Sequence, residues 1–215
     1  MTEKDDTRDC ILEAARTRFL HYGYGKTTMA EIAKDCDMSP GNLYRFFEGK
    51  LDLAEAIARK AATETMEELA RAVRAPGKTA TQAMRDYLFG KLRMTYTNLE
   101  KDPKIIELAQ TVSAERPDFS NDMLEQERAI LMEIIANGRE LGEFATSDVA
   151  FTAEMIQSAT MKFSYPQLWS RLTLENLERE LAGVFDLVLG GLCPDRKLFA
   201  GGGGGGGMAS DRQTA

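Results

Sequence analysis

An all-α fold is predicted for this chain of 215 residues by three observations. Apolar residues recur at helical spacing almost from end to end, no alternating β-branched run marks a strand, and good helix caps stand where apolar stripes begin. With 43% hydrophobic and 28% charged residues, the composition supplies a folded core and argues against disorder over most of the length.

About nine helices are expected. The first runs from about Thr7 to Tyr22, with Ile11, Leu12, Ala15, Phe19 and Leu20 on one stripe, and Gly23-Tyr24-Gly25 supplies a left-handed stop. The second begins at Thr27 or Thr28, where Thr28 and Glu31 have the form of a capping box, and carries Met29, Ile32 and Ala33 inward. Asp35-Cys36-Asp37-Met38 makes a turn. Ser39 then caps a third helix whose first position is Pro40, where a missing N–H costs nothing. Glu48-Gly49-Lys50 ends it, and Leu51 to about Val73 reads as a long fourth helix. After the break at Ala75-Pro76-Gly77-Lys78, helices follow at about Thr79–Leu99, Pro103–Ser113, Asn121–Leu141, Asp148–Tyr165 and Leu174–Leu192. The tail has seven glycines, Gly201 to Gly207, and cannot build a core, so residues 200–215 are expected to be flexible.

Two short capped helices joined by a tight turn make Thr28 to Phe47 a helix-turn-helix candidate. In such a unit the second helix enters the major groove with its N-terminal residues aimed at base edges. Gly41 and Asn42 would let the duplex approach closely, while Leu43 and Phe47, four apart, would anchor the helix behind. Tyr44 and Arg45 remain outward, suited to phosphate, sugar or base edges.

Ordered matches across this region, Ile11-Leu12-Glu13-Ala14-Ala15 with Phe19, Gly23 to Met29, Ile32-Ala33, Met38 to Phe47, and Lys50 before Leu53, resemble the N-terminal domain of the TetR family of transcriptional repressors. The later Gly138 to Phe144, GRELGEF, is similar to a turn in the regulatory domain of such proteins. The resemblance implies DNA contacts from Lys26, Thr27, Thr28, Ser39, Gly41, Asn42, Tyr44, Arg45 and Lys50. It also implies a division into a DNA-binding domain over residues 1–50 and a helical regulatory and dimerisation domain over 51–199. Asp37 departs from the family's usual glycine, and aspartate tolerates a left-handed turn better than most residues. Arg45 departs from the usual aromatic or histidine.

The net charge of −7 runs against a nucleic-acid partner. Residues 1–50 hold eight Lys/Arg and nine Asp/Glu, a formal −1, and the acids gather in Glu3, Asp5, Asp6, Asp9 and Glu13, away from the reading helix. Local placement of Lys26, Arg45 and Lys50 must therefore supply the attraction, and a shallow salt dependence of binding follows.

The C-terminal part is rich in methionine and aromatics, mostly ordinary core. The resemblance implies a ligand cavity among its helices, with Tyr96, Phe163, Tyr165 and Trp169 as candidate lining. On the last helix Leu177, Leu181, Val184, Phe185, Val188 and Leu192 form an apolar face broader than one neighbour covers, which predicts a partner and makes these residues the candidate dimer interface. The expected protein is a homodimeric, ligand-responsive repressor acting on a palindromic double-stranded operator under control of a small-molecule effector. The rivals are an all-α small-molecule-binding protein and a helical adaptor without DNA function. A lone histidine, His21, and the absence of a nucleophile–base pairing at readable spacing argue against an enzyme. Cys10, Cys36 and Cys193 lack metal or disulfide spacing, so no metal or cofactor is expected and a reduced cytoplasmic setting fits. No segment reads as a signal peptide or membrane helix.

Overall fold

The computed structural model describes residues 3–101, 103–164 and 173–193. Among them lie nine helices: α1 (Glu3–Tyr22), α2 (Met29–Asp35), α3 (Pro40–Leu43), α4 (Lys50–Val73), α5 (Ala80–Lys101), α6 (Pro103–Glu115), α7 (Pro117–Glu140), α8 (Val149–Ser164) and α9 (Leu174–Leu192). The all-α expectation and the order of the elements hold. The N-terminal boundary of α7 moves earlier than the apolar pattern suggested, because Pro117 occupies its first turn and fixes the chain in helical φ there.

Two apolar cores form. The first gathers Ile11, Ala15 and Phe19 of α1, Ile32 and Ala33 of α2, Leu43 and Phe47 around α3, and Leu53, Ala54 and Ile57 of α4. It also takes in Leu108 and Val112 of α6 and Phe119 of α7. The second core joins Leu69, Ala70 and Val73 of α4 to α5, α7, α8 and α9. The 24-residue α4 thus serves both cores with opposite halves, so a division at residue 50 cuts across shared packing. Ion pairs tie α4 to the segment around the start of α7: Arg116 Nη2 lies 2.6 Å from Asp52 of α4, and Arg59 of α4 joins Asp122 of α7 at 2.8 Å.

The GRELGEF turn shows why two of its residues are glycine. Gly142 holds φ +73°, the left-handed region that glycine enters without penalty. At Gly138 a Cβ would stand 2.2 Å from the Phe144 ring and 2.8 Å from Ala80 Cβ, so only a bare Cα admits that ring. Glu143 then turns back to accept the N–H groups of Ala80 (2.9 Å) and Thr81 (3.1 Å), capping α5 from a distant turn. Burial works against the charged Glu143 carboxylate, and those two backbone N–H donors together with the Thr81 hydroxyl outweigh it and hold its pKa below the ordinary value.

The broad apolar face of α9 has a different destination from the one its sequence suggests. Leu177, Leu181, Phe185 and Leu192 are buried in the protomer's own second core, and Val184 and Val188 pack half-buried at its edge. Two neighbours, α5 and α8, share the face where one was anticipated, and the Phe89 and Phe185 rings meet edge-on at 6.2 Å. The large apolar residue that α9 leaves exposed is Leu187, at 77%.

Candidate nucleic-acid interface

The helix-turn-helix is built from local hydrogen bonds. Thr28 caps α2: its hydroxyl accepts the Glu31 N–H at 3.3 Å, and the Glu31 carboxylate accepts the Thr28 N–H at 2.9 Å. The Thr28 hydroxyl and backbone N–H hold the Glu31 carboxyl below the usual carboxylate range. Arg18 of α1 clamps the other end of α2 through a two-pronged bond to Asp35, one prong at 3.0 Å, and lowers the Asp35 carboxyl in turn. Burial, with the Cys10 thiol beside it, pushes the Cys36 thiol at the end of α2 up to about 11, so it is protonated at neutral pH. Asp37 follows with φ +52°, the left-handed turn conformation anticipated for it.

Ser39 caps α3, its hydroxyl accepting the Asn42 N–H at 3.2 Å, with Pro40 at the first position. Regular α-helix then lasts only to Leu43. Arg45 and Phe46 donate to carbonyls three residues back, Asn42 at 3.1 Å and Leu43 at 3.0 Å, a tighter winding that ends the helix sooner than its sequence suggested. Leu43 and Phe47 are buried and fasten this turn to α1, α2 and α4. Arg8 of α1 lies 4.3 Å from the Phe47 ring centroid, a cation–π contact that braces it from behind.

Outward stand Ser39, Pro40, Gly41, Tyr44 and Arg45, with Tyr44 52% exposed at the end of α3. A Cβ on Gly41 would meet nothing within 4 Å, so the protein's own packing gives no reason for glycine there. Thr28 and Lys26 are also exposed, and Asn42 is half-buried. Thr27 departs from the expectation: it is 2% exposed, its hydroxyl donates to Gly23 O at 3.0 Å and its N–H to Tyr24 O. It holds the turn before α2 and offers no side-chain donor to a phosphate. Lys50 is half-engaged, with Nζ donating to Tyr24 O at 2.8 Å and lying 4.3 Å from that ring's centroid. A lysine carries three N–H donors, so two stay available. Gly49, the cap of α4, makes no side-chain cap, which leaves the first N–H groups of α4 to an outside acceptor.

Of the anticipated ligand-pocket residues, Tyr96 and Phe163 fall within the described residues. Phe163 lines a small void with Lys91 and Glu127, and Tyr96 packs half-buried against the second core. Tyr165 and Trp169 lie outside the described residues. A second cavity, about 230 Å³, opens between α4, α5, α6 and α7, touches Ser164 at the end of α8, and reaches from Ile57 and Phe119 of the first core to Lys91 and Glu127. Sequence reading missed it because alanines, which make room, carry no pattern that distinguishes a cavity from close packing. The one available signal is the polar Lys91, Thr95 and Asn98 at helical spacing on α5.

The fold and this outward-facing turn define a helix-turn-helix protein. The family model described as bacterial regulatory proteins, tetR family, matches residues 11–57, and that of the tetracyclin repressor-like C-terminal domain matches residues 80–185. The chain belongs to the TetR family of bacterial regulatory proteins. It is similar to the HTH-type transcriptional regulator UidR of Escherichia coli, 45% identical over 56 residues, which is 26% of this chain and 29% of UidR. The match to that curated relative therefore spans under a third of the relative's length. In structure it is similar to a putative TetR-family transcriptional regulator from Mesorhizobium loti, TM-score 0.69 at 16% identity, covering 90% of this chain and 100% of that one. It is also similar to SmeT, the repressor of the Stenotrophomonas maltophilia multidrug efflux pump SmeDEF, TM-score 0.62 at 19% identity over 91% and 94% of the two chains. A SmeT–triclosan complex superposes as well, TM-score 0.61 at 18% identity over 95% and 100%. At such identities the likeness to solved structures carries the fold alone.

Proposed function

We propose that the chain is a homodimeric, ligand-responsive transcriptional repressor that binds a palindromic operator in the cytoplasm and carries no enzymatic activity. The observation that carries this reading is Gly41, Tyr44 and Arg45, turned outward on a short helix and the turn that ends it, anchored by buried Leu43 and Phe47. A glycine without an internal reason suits a backbone that approaches a duplex closely, and Tyr44 and Arg45 beside it reach phosphate or base edges. Lys26, Thr28, Ser39, Asn42, Lys50 and the uncapped start of α4 flank them as phosphate contacts.

Dimerisation uses the outer face of α8 and α9. Phe151 and Met155, one turn apart on α8, and Leu187 on α9 are large apolar side chains left exposed by the protomer. Val184 and Val188 border Leu187 on the same helix. A two-fold contact there sets two α3 segments about one DNA turn apart, roughly 34 Å or a little more, so that both enter successive major grooves. The effector occupies the 230 Å³ cavity; SmeT, a neighbour in structure, is known as a complex with the small molecule triclosan. Ile57 and Phe119 belong both to that cavity's wall and to the first core, so an occupant that moves them favours a different spacing of the reading helices.

A gel-shift titration with the promoter region of the protein's own gene tests this. Wild-type protein retards the fragment, Tyr44→Ala and Arg45→Ala weaken binding by about 1–3 kcal/mol each, and both variants remain dimeric. Wild-type affinity in both variants would remove the assigned surface.

A further inference from the structure

The 230 Å³ cavity has two unlike walls. On α4, Ala58, Ala61 and Ala62 stand where larger side chains would fill the gap, and Phe119 and Met123 of α7 continue that apolar surface. Opposite them α5 presents Lys91, Thr95 and Asn98 at i, i+4 and i+7, one stripe of a helix, with Glu127 of α7 beside Lys91. Lys91 Nζ lies 2.6 Å from a Glu127 oxygen, and each side chain is only 14% exposed. Gln157 Nε2 donates to the same carboxylate at 3.2 Å and to Leu124 O at 2.9 Å, which fixes its orientation.

That pairing sets the charge of what fits. A buried ion pair is neutral as a unit, and removing either partner strands the other in low dielectric at a large cost. An anionic ligand would draw Lys91 away from Glu127, and a cationic one would draw Glu127 away from Lys91. An uncharged ligand disturbs neither. The bond to Glu127 uses one of the three N–H donors of Lys91, and a carboxylate offers about four acceptor sites. A hydroxyl placed at the pair can therefore accept from Lys91 and donate to Glu127 without separating them. For size, an engineered apolar cavity of roughly 150 Å³ holds one benzene ring, so a space half as large again suits two fused rings.

We propose that this site takes an uncharged, largely apolar ligand of bicyclic size whose one polar edge carries a hydroxyl, seated on the Lys91–Glu127 pair with its hydrocarbon face against the α4 alanines. The proposal rests on the regulator reading for the purpose of binding, and it adds the chemical class of the effector and the residues that select it.

Isothermal titration of the full-length protein at neutral pH with four probes on one hydrocarbon body tests it: naphthol, naphthoate, naphthylmethylammonium and naphthalene. Naphthol binds at least about tenfold tighter than each of the other three. In Lys91→Met/Glu127→Met, where two apolar side chains of similar length replace the pair, naphthol loses its advantage over naphthalene. Ala61→Phe, which fills the cavity, abolishes binding of every probe. Binding of naphthoate or the ammonium probe as tight as naphthol overturns the proposal, as does no binding of any probe to the wild-type protein. Should the double variant not fold, the ranking of the four probes on the wild-type protein decides alone. The titrations contain no DNA, so a failed ranking leaves the operator reading untouched, whereas a failed gel shift beside a correct ranking removes that reading and keeps the ligand class.

Discussion

At the scale of single residues, three positions separate the demands of folding from those of binding. Gly41 is helical and its missing Cβ faces open space, so Gly41→Ala should leave stability unchanged or raise it by about 0.5–1 kcal/mol while weakening operator binding. A chemical-denaturation curve beside a DNA titration reads both halves, and equal DNA affinity would mean that the glycine serves no close approach. Gly138 is the opposite case: Gly138→Ala drives a Cβ into the Phe144 ring and should cost about 1–3 kcal/mol in the same denaturation assay. Asp35 adds a pH signature. Its folded-state pKa is depressed by Arg18, so its contribution is complete above the unfolded value near 3.8 and disappears as pH falls through the lower folded value. The acid limb of a urea-midpoint profile, from about pH 5 downward, should therefore be flatter in Asp35→Asn than in the wild type.

At the scale of elements, legibility followed locality. The Thr28–Glu31 capping box, Ser39-Pro40 at the start of α3 and the left-handed Asp37 are decided by neighbours within four residues, and all three were readable. The length of α3 was not, because its early tightening after Leu43 is set by burying Phe47 beneath Arg8 of a distant helix. Thr27 was assigned an outward role, and the second engagement of Lys50 went unseen, for a similar reason: both are held by the Gly23–Tyr24 loop, whose path the periodicity of α1 and α4 does not reveal. Helix α6 entered the first core unannounced, since Leu108 and Val112 give it an apolar stripe that could face either core. On α9 the stripe was correct and its partner was misread, because sequence spacing gives the width of an apolar face and says nothing of how many neighbours cover it.

For the whole molecule, that distinction makes the proposed dimer contact and the stability of the single chain separable by mutation. Leu187→Glu places a charge on the exposed ridge and should yield a folded monomer by sedimentation, with its thermal midpoint little changed beyond the loss of association. Leu177→Ala, by contrast, opens a cavity in the second core and should cost about 2–5 kcal/mol of protomer stability. A monomeric Leu187→Glu should also lose most operator affinity, since two linked reading helices bind with an effective concentration that one lacks. Charge enters at this scale too. With a net −7 on the chain, attraction to DNA comes from a few placed cations, so the slope of binding against salt should be shallow for a dimer and fall by about one unit per phosphate contact removed.

The most direct test of sequence-selective binding through α3 is sequencing of genomic fragments protected by the full-length protein, run in parallel with Tyr44→Ala/Arg45→Ala. The wild type should recover fragments that share a two-fold palindrome with half-sites about one helical turn apart or slightly more, and the double variant should recover none above background. Fragments without a common motif, or the same motif recovered equally by the double variant, would contradict the account.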